Sequence, residues 1–199
     1  TYGSHFSYHQ RYPREFARFM PDDDVAISST NIEMIRNAYD NSILYTDYVL
    51  NEIINLFEAR EDICSAMFYC ADHGEDLLDT KEERFLHSSP TTTYYQLHVA
   101  SIMWFSPLYR ELFADKVESA QYNKDAPATT YSVFHTMVDL ASIYSPYTNL
   151  KASLVSKDFD AAARRYYLND HNKAVALDAE IGINEEQLEI FRKAGVDVR

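Results

Sequence analysis

The sequence lacks long apolar stretches, internal repeats and low-complexity tracts. No run of 18 or more apolar residues occurs in the 199 residues, so no transmembrane helix is predicted within them. No signal peptide is recognisable, and the sequence begins at Thr1 rather than Met, from which we expect a trimmed or processed chain. The length and the 46% hydrophobic content suffice for one ordinary domain with its own core.

Basic residues are few compared with acidic ones. Lys and Arg number 18 against 31 Asp and Glu, which gives a formal net charge of -13. Nucleic-acid binding needs a basic patch, and the Lys and Arg residues here are scattered without a basic run. Nucleic acid is therefore excluded as a predicted partner, and the acidity is interpreted as an aid to solubility.

Cysteine is also scarce, with Cys64 and Cys70 in one apolar run, ICSAMFYC. If that run is a strand, the two residues are about 20 Å apart at about 3.3 Å per residue, too far to form a disulfide with each other. We expect two buried free thiols, and the cysteine content does not indicate a cellular compartment.

Apolar periodicity and capping signals predict an α/β fold in which strands alternate with helices. The most regular pattern is a helix over 31–59, for which Thr30 and Glu33 fit a capping box. Residues 1–30 and 74–96 are predicted to be irregular. The remaining predicted elements are buried strands at 63–71 and 97–105, short strands at 164–168 and 174–177, and helices at 130–144 and 184–194.

The segment FYCADHGEDLLD, residues 68–79, carries the strongest chemical signal. Asp72 and His73 follow a predicted strand, and ligands of open α/β sheets bind beyond the carboxyl ends of strands. A carboxylate and an imidazole at that position can both bind one divalent metal such as zinc, although such pairs also occur as ordinary turn residues. His5, His87 and His98 lie in or next to loops that could converge there as a second shell or second metal site, or they could be packed histidines.

Four segments resemble one enzyme family in order and spacing. These segments are GSH with RYP at 3–5 and 11–13, AYDNSILYTDYVL at 38–50, ADHGED at 71–76, and LHSSP followed by HVASIMWFS. They resemble the phosphoethanolamine transferases of the alkaline phosphatase and sulfatase superfamily over about residues 1–145. FHTMVDLASI at 134–143 resembles the closing helix of sulfatase-like enzymes.

The resemblance implies a fold and a reaction. It implies an α/β layered mixed sheet flanked by helices, with residues 1–199 forming the C-terminal part of a sulfatase-like catalytic domain. The implied enzyme transfers phosphoethanolamine from phosphatidylethanolamine to lipid A or a cell-surface glycan through a phospho-threonine. The nucleophilic threonine, one metal-binding glutamate and the helices that anchor the enzyme in the bacterial inner membrane, with its catalytic domain in the periplasm, would lie upstream of this chain. We therefore expect the isolated chain to be inactive.

The resemblance also implies residue roles. Asp72 and His73 would bind zinc, of which one or two ions are expected. His5 and His87 would bind the substrate phosphate or a second metal and act as electrophiles or proton donors. His98 would be a weaker member of that group.

Other polar residues have simpler interpretations. Arg11 could hold an anionic headgroup, but a role in bracing its loop is favoured. His135 is expected to be a hydrogen-bonded core histidine. Asp22, Asp23 and Asp24 could attract a cation, but a solvated run is favoured.

Two alternatives remain open from the sequence. One is a hydrolase of the same superfamily, either a sulfatase or a phosphodiesterase. The other is a non-catalytic binding domain in which Asp72 and His73 are structural. Substitution of either residue would leave the ligand binding of such a domain unchanged.

Overall fold

A computed structural model of the chain describes residues 3–23, 26–79, 83–87, 92–168, 173–177, 189, 192 and 193. The chain forms two compact units. The first comprises Thr1–Ala59 and Glu75–His87, and the second comprises Arg60–Gly74 and Ser88–Arg199.

The first unit is built on one long helix. Helix α1 spans Ile32–Glu58, as the apolar spacing predicts. Short 3₁₀ helices at Tyr8–Gln10, Arg14–Phe16 and Ser29–Asn31 precede it in an otherwise irregular segment. The core of this unit is apolar and aromatic, and consists of Tyr8, Ile35, Ala38 and Leu77 with Phe6, Tyr39, Phe85 and Leu86 packed against them.

The start of α1 differs from the predicted capping box. The residue that precedes the helix is Asn31, whose side chain makes no capping hydrogen bond. Instead, the Ser28 hydroxyl accepts the Thr30 N–H at 3.3 Å, at the start of the 3₁₀ turn that leads into α1. The predicted roles of Thr30 and Glu33 are therefore wrong, because this additional turn moves the start of the helix beyond Thr30.

A buried polar cluster joins the first loop to α1. Asn41, which is fully buried, accepts the backbone N–H groups of Arg18 and Phe19 at 2.8 and 2.9 Å. Its amide group donates to Asp22 at 3.2 Å, and Asp22 also accepts from Tyr12 at 2.8 Å. The prediction that Asp22 belongs to a solvated run is wrong, because these donors satisfy a carboxylate that is only 1% exposed.

Part of the segment 74–96, predicted as a loop, folds into a hairpin in the first unit. Strand β2, Asp76–Leu77, pairs antiparallel with strand β3, Phe85–Leu86. Asp79, just after β2, forms an ion pair with Arg36 of α1 at 2.6 Å. These strands are only two residues long, too short for a periodicity signal.

The second unit contains the sheet on which the predicted metal site depends. Strand β1, Ala66–Cys70, pairs antiparallel with strand β4, Ser101–Phe105, with Phe68 opposite Met103. Both strands were predicted in longer form and as buried. All five β1 side chains are half-buried, and β4 begins with exposed residues, so the expected burial is wrong.

Helices complete this unit. Helix α2 spans Tyr94–Leu97, α3 Pro107–Leu112, α4 Ala114–Asn123 and α5 Ser132–Leu140. The core brings together Phe105, Tyr109, Leu140 and Val155. The predicted helix over 130–144 is confirmed in its central part, while α3 and α4 were not predicted.

The last predicted strands are also present in the second unit. Strand β5, Tyr166–Leu168, pairs antiparallel with strand β6, Ala174–Ala176. The predicted helix over 184–194 lies mostly outside the described residues. Helices with small sheets agree with the predicted α/β class.

Both cysteines are free, as predicted, but the expected burial is wrong. Cys64, which precedes β1, is exposed. Cys70 is half-buried, because the side chains of β1 are only partly covered. Burial, followed by the charge of Asp72, raises the pKa of the Cys70 thiol. Across the described residues, no helix has the length and apolar character needed to cross a membrane.

Candidate functional site

Strand β1 ends directly before the two predicted metal ligands. The backbone N–H of Ala71 donates to the carbonyl of Ala100 at 3.1 Å, which prolongs the β1–β4 contact by one residue. Asp72 and His73 then leave the sheet. The Asp72 carboxylate is 92% exposed, and its Oδ2 lies 3.9 Å from His73 Nε2. The structure therefore brings a carboxylate oxygen and an imidazole nitrogen close together at the strand end.

The contacts of His73 indicate which ring nitrogen can bind a metal. Nδ1 lies 3.0 Å from the carbonyl oxygen of Gly74, and a carbonyl can only accept, so Nδ1 carries the proton. In the neutral ring the lone pair is then on Nε2, the atom that lies near Asp72. Metal-binding histidines commonly donate their other N–H to a carbonyl or carboxylate in this way.

The spacing of these two atoms fits one zinc ion. Zinc binds nitrogen and oxygen at about 2.0–2.2 Å in tetrahedral geometry, so two such ligands lie roughly 3.4 Å apart. The observed distance between Asp72 Oδ2 and His73 Nε2 is 3.9 Å, so Oδ2 has to move by only about half an ångström. The exposed Asp72 side chain can make this movement by rotation. The donor set and its geometry therefore fit zinc.

Gly74 is required by the backbone that packs against it. Its N–H donates to the carbonyl of Gln96 at 2.9 Å. A Cβ at this position would lie 1.9 Å from the carbonyl oxygen of Tyr95 and 3.1 Å from that of His98. As long as the backbone around α2 keeps this position, glycine is the only residue that fits after His73.

A second group of predicted residues lies in the first unit, in the loop that contains His5. Arg11 Nε donates to the carbonyl of His5 at 2.7 Å, and an Nη2 N–H donates to that of Phe6 at 2.9 Å. His5 Nδ1 also lies 2.8 Å from the Phe6 carbonyl. The predicted bracing role of Arg11 is confirmed, because it holds two successive backbone carbonyls, those of His5 and Phe6, next to the exposed His5 side chain.

The β2–β3 hairpin places His87 against a buried carboxylate. Asp76 and Leu86 are paired in the register, so Glu75 and His87 occupy the next position at the open end of the hairpin. His87 Nδ1 and Glu75 Oε1 are in hydrogen-bond contact. The other carboxylate oxygen, Oε2, accepts the Tyr8 hydroxyl at 2.5 Å. Glu75 thus connects a core tyrosine to a half-exposed histidine.

His5 and His87 are neighbours in this unit, with ring centroids 6.2 Å apart and planes at 70°. Tyr8, in contrast, is 2% exposed. Burial first, and then the hydrogen bond to Glu75, raise the pKa of Tyr8 far above its usual range. Tyr8 therefore keeps its hydroxyl proton at neutral pH and donates it to Glu75.

The remaining predicted histidines have different surroundings. His98 is exposed and lies between α2 and β4, three residues before the strand that it was expected to open. His135 is buried on α5, and its Nδ1 accepts the Asn149 N–H at 3.1 Å. The prediction of a hydrogen-bonded core histidine is confirmed for His135.

Two residues of this geometry were missed as site residues, Glu75 and Tyr8. Glu75 stands inside the motif Asp72-His73-Gly74-Glu75, so a local signal for it was present. Tyr8 carries no comparable signal, because its partner is 67 residues away in the sequence.

The family follows from comparison with known sequences. The Sulfatase family matches residues 1–143. The chain therefore belongs to the sulfatase family, and the predicted extent of the resemblance, about residues 1–145, is confirmed.

Within this family, the similar proteins include phosphoethanolamine transferases. The phosphoethanolamine transferase EptA of Salmonella typhimurium is 34% identical over 155 residues, which cover 74% of this chain and 28% of that protein. The Kdo(2)-lipid A phosphoethanolamine 7''-transferase of Escherichia coli is 35% identical over 153 residues, with 73% and 26% coverage. The chain thus spans about a quarter of the length of these relatives.

Solved structures agree with this relationship. The C-terminal periplasmic domain of phosphoethanolamine transferase EptC from Campylobacter jejuni matches with a TM-score of 0.72 and 30% identity, covering 81% of this chain and 51% of that one. The corresponding domain of EptC from Escherichia coli, in a complex with Zn, matches with a TM-score of 0.73 and 24% identity, covering 93% and 51%. The predicted relationship to sulfatase-like phosphoethanolamine transferases is thereby confirmed.

Proposed function

We propose that this chain is the C-terminal part of the catalytic domain of a zinc-dependent phosphoethanolamine transferase. The observation that carries the proposal is the 3.9 Å approach of Asp72 Oδ2 and His73 Nε2 at the end of β1, in a chain of the sulfatase family. Its similarity to transferases acting on Kdo(2)-lipid A supports lipid A as the acceptor. Its similarity to periplasmic domains supports a location in the periplasm, with anchorage in the inner membrane.

Asp72 and His73 are the proposed zinc ligands of this chain. Zinc, when bound, would lower the pKa of a coordinated hydroxyl and neutralise charge on the phosphoryl oxygens. The hydrogen bond from His73 Nδ1 to Gly74 orients the ring for this role, and the fixed backbone at Gly74 limits how far the ligand pair can move.

The proposed reaction is a two-step transfer. A threonine outside this chain attacks the phosphorus of phosphatidylethanolamine, a threonine oxygen–phosphorus bond forms, and diacylglycerol leaves with the electrons of the broken bond. An oxygen of the acceptor then attacks the same phosphorus and releases the threonine. His5 and His87 would contact the transferred group or a second metal ion, with His98 in a lesser role. Arg11 would support substrate binding chiefly by holding the His5 loop.

The proposal is tested first by zinc binding to this chain. We expect Asp72→Asn and His73→Gln each to weaken zinc affinity by at least about tenfold, because each removes one direct ligand. Asp125→Asn is the matched control, since Asp125 is also highly exposed, at 88%, but lies next to Lys124 after α4. Isothermal titration with zinc at fixed pH measures the effect, and equal affinity of all variants would refute the ligand assignment.

Activity tests separate the transferase from its alternatives. We propose that the 199 residues alone have no turnover, because the nucleophile is supplied by another part of the protein. The complete protein should transfer the phosphoethanolamine of a labelled phosphatidylethanolamine to lipid A. Release of the labelled group to water, without transfer, would instead indicate a hydrolase. Turnover by the isolated chain would contradict the proposed division of the catalytic domain.

A further inference from the structure

The contacts of Glu75 determine the protonation pattern around His87. An ionised carboxylate can only accept hydrogen bonds. Tyr8 donates to Oε2, so its hydroxyl hydrogen is directed at Glu75. The contact with Oε1 then requires the hydrogen of His87 to be on Nδ1. In a neutral imidazole this leaves the lone pair on Nε2.

Burial makes this arrangement rigid. Glu75 is 8% exposed, and Tyr8 is held in the core by edge-to-face contacts with Phe6 and Tyr39 at 5.6 and 5.2 Å. The hairpin register fixes Glu75 and His87 at the same end of β2 and β3. Of the three side chains, His87 is the most exposed, at 31%. The chain of hydrogen bonds therefore runs from the core towards the surface and ends at the imidazole.

We propose that Glu75 and Tyr8 are positioning residues that hold the proton of His87 on Nδ1, so that Nε2 acts as an electron-pair donor. Nε2 would then meet a cation or an acidic proton rather than donate to a phosphate oxygen. The role of this Nε2 lone pair in phosphoryl transfer rests on the proposed function. The tautomer itself does not, because it follows from the contacts of Glu75.

The direct test is the tautomer of His87 in the metal-free chain labelled with ¹⁵N-histidine. Long-range ¹H–¹⁵N correlation spectra distinguish Nδ1–H from Nε2–H rings, and the spectrum of His87→Gln assigns the signals of His87 among the seven histidines. We expect the Nδ1–H form in the unmodified protein. An Nε2–H ring, or a ring protonated on both nitrogens at mildly alkaline pH, would overturn the proposal without affecting the proposed function.

Variants test the two positioning residues. Glu75→Ala should replace the single Nδ1–H form by a mixture with the Nε2–H form, and Tyr8→Phe should do so partially while retaining the ring in the core. Tyr39→Phe is the matched control, because it removes a tyrosine hydroxyl from the same cluster, and it should leave the tautomer unchanged. If Glu75→Ala fails to fold, the spectra of the unmodified chain and of Tyr8→Phe still test the proposed tautomer. An unchanged spectrum in Tyr8→Phe would exclude a role for Tyr8.

Activity of the complete protein gives a second readout. We expect Tyr8→Phe and Glu75→Ala to lower kcat by about tenfold or more, as substitutions of residues that orient a functional histidine do, with little change in KM. Unchanged kcat in a variant with an altered tautomer would show that the arrangement does not serve the reaction. Absence of transferase activity in the unmodified protein would instead count against the proposed function.

Discussion

At the scale of single residues, Gly74 shows how the backbone constrains the proposed metal site. The residue stands between the proposed ligand His73 and the buried Glu75, and a Cβ would lie 1.9 Å from the Tyr95 carbonyl oxygen. Since this neighbour is backbone, it cannot move aside as the end of a side chain could. The same residue holds Gln96 by a hydrogen bond, so a shift of the strand end would also disturb α2.

We therefore predict that Gly74→Ala lowers the free energy of unfolding by about 2–3 kcal/mol, as overpacking a fixed site does. It should also weaken zinc binding, because relief of the clash displaces His73. Gly3→Ala is the control: its Cβ would meet nothing within 4 Å, and only its positive φ of 50° opposes the substitution. Urea unfolding and zinc titration measure both effects, and equal losses in the two variants would contradict the prediction.

At the scale of elements, α1 serves as the support to which the loop containing Tyr12 and Asp22 is attached. Asn41 makes this attachment, because its side chain accepts two backbone N–H groups and donates to the Phe19 carbonyl and to Asp22. The ion pair of Arg36 with Asp79 similarly connects the helix to the hairpin. The two segments that carry His5 and His87 are thus both attached to α1 by polar contacts.

We predict that Asn41→Ala destabilises the protein by about 3 kcal/mol, because several buried polar groups lose their partners. Asn37→Ala, one turn earlier on α1, is the matched control, since its half-buried side chain makes a solvent-exposed hydrogen bond to the carbonyl of Pro21. The control should change the free energy of unfolding by about 0.5 kcal/mol or less. Chemical denaturation compares the two, and comparable losses would show that the buried cluster is dispensable.

At the scale of the whole molecule, both units contain buried tyrosines that limit stability at high pH. Burial raises the pKa of Tyr12, in the first unit, to about 12, and likewise the pKa of Tyr109, in the second, to about 12. The ordinary value is 10.0. Between these values Tyr12 and Tyr109 ionise in the unfolded chain but not in the folded protein, so unfolding becomes more favourable as the pH rises.

The expected result is a free energy of unfolding that is insensitive to tyrosine ionisation below pH 10 and falls as the pH rises from about 10 to 12. Tyr109→Phe should reduce this slope, although it also loses the hydrogen bond to the Leu140 carbonyl and so lowers stability at neutral pH. Tyr122→Phe is the control, because Tyr122 is 88% exposed. Urea unfolding at several pH values measures the slope, and identical slopes for both variants would refute the assignment.

The sequence alone determined the long helix, the strand that ends at Asp72 and His73, the paired strands near 166–176 and the family. Each of these depends on neighbouring residues, either through apolar periodicity or through contiguous motifs such as ADHGED. It did not determine the short β2–β3 hairpin or helices α3 and α4.

Only the tertiary structure decided which polar residues are buried and which atoms meet. The hydrogen bond of Tyr8 to Glu75 joins residues 67 positions apart, and the burial of Asp22 depends on Asn41, 19 positions away. No local pattern encodes such pairs, because a buried polar group is stable only where the fold supplies its partner. For the same reason, no local pattern connects Tyr8 with Glu75 and His87, because the first loop and the hairpin meet only in the folded chain.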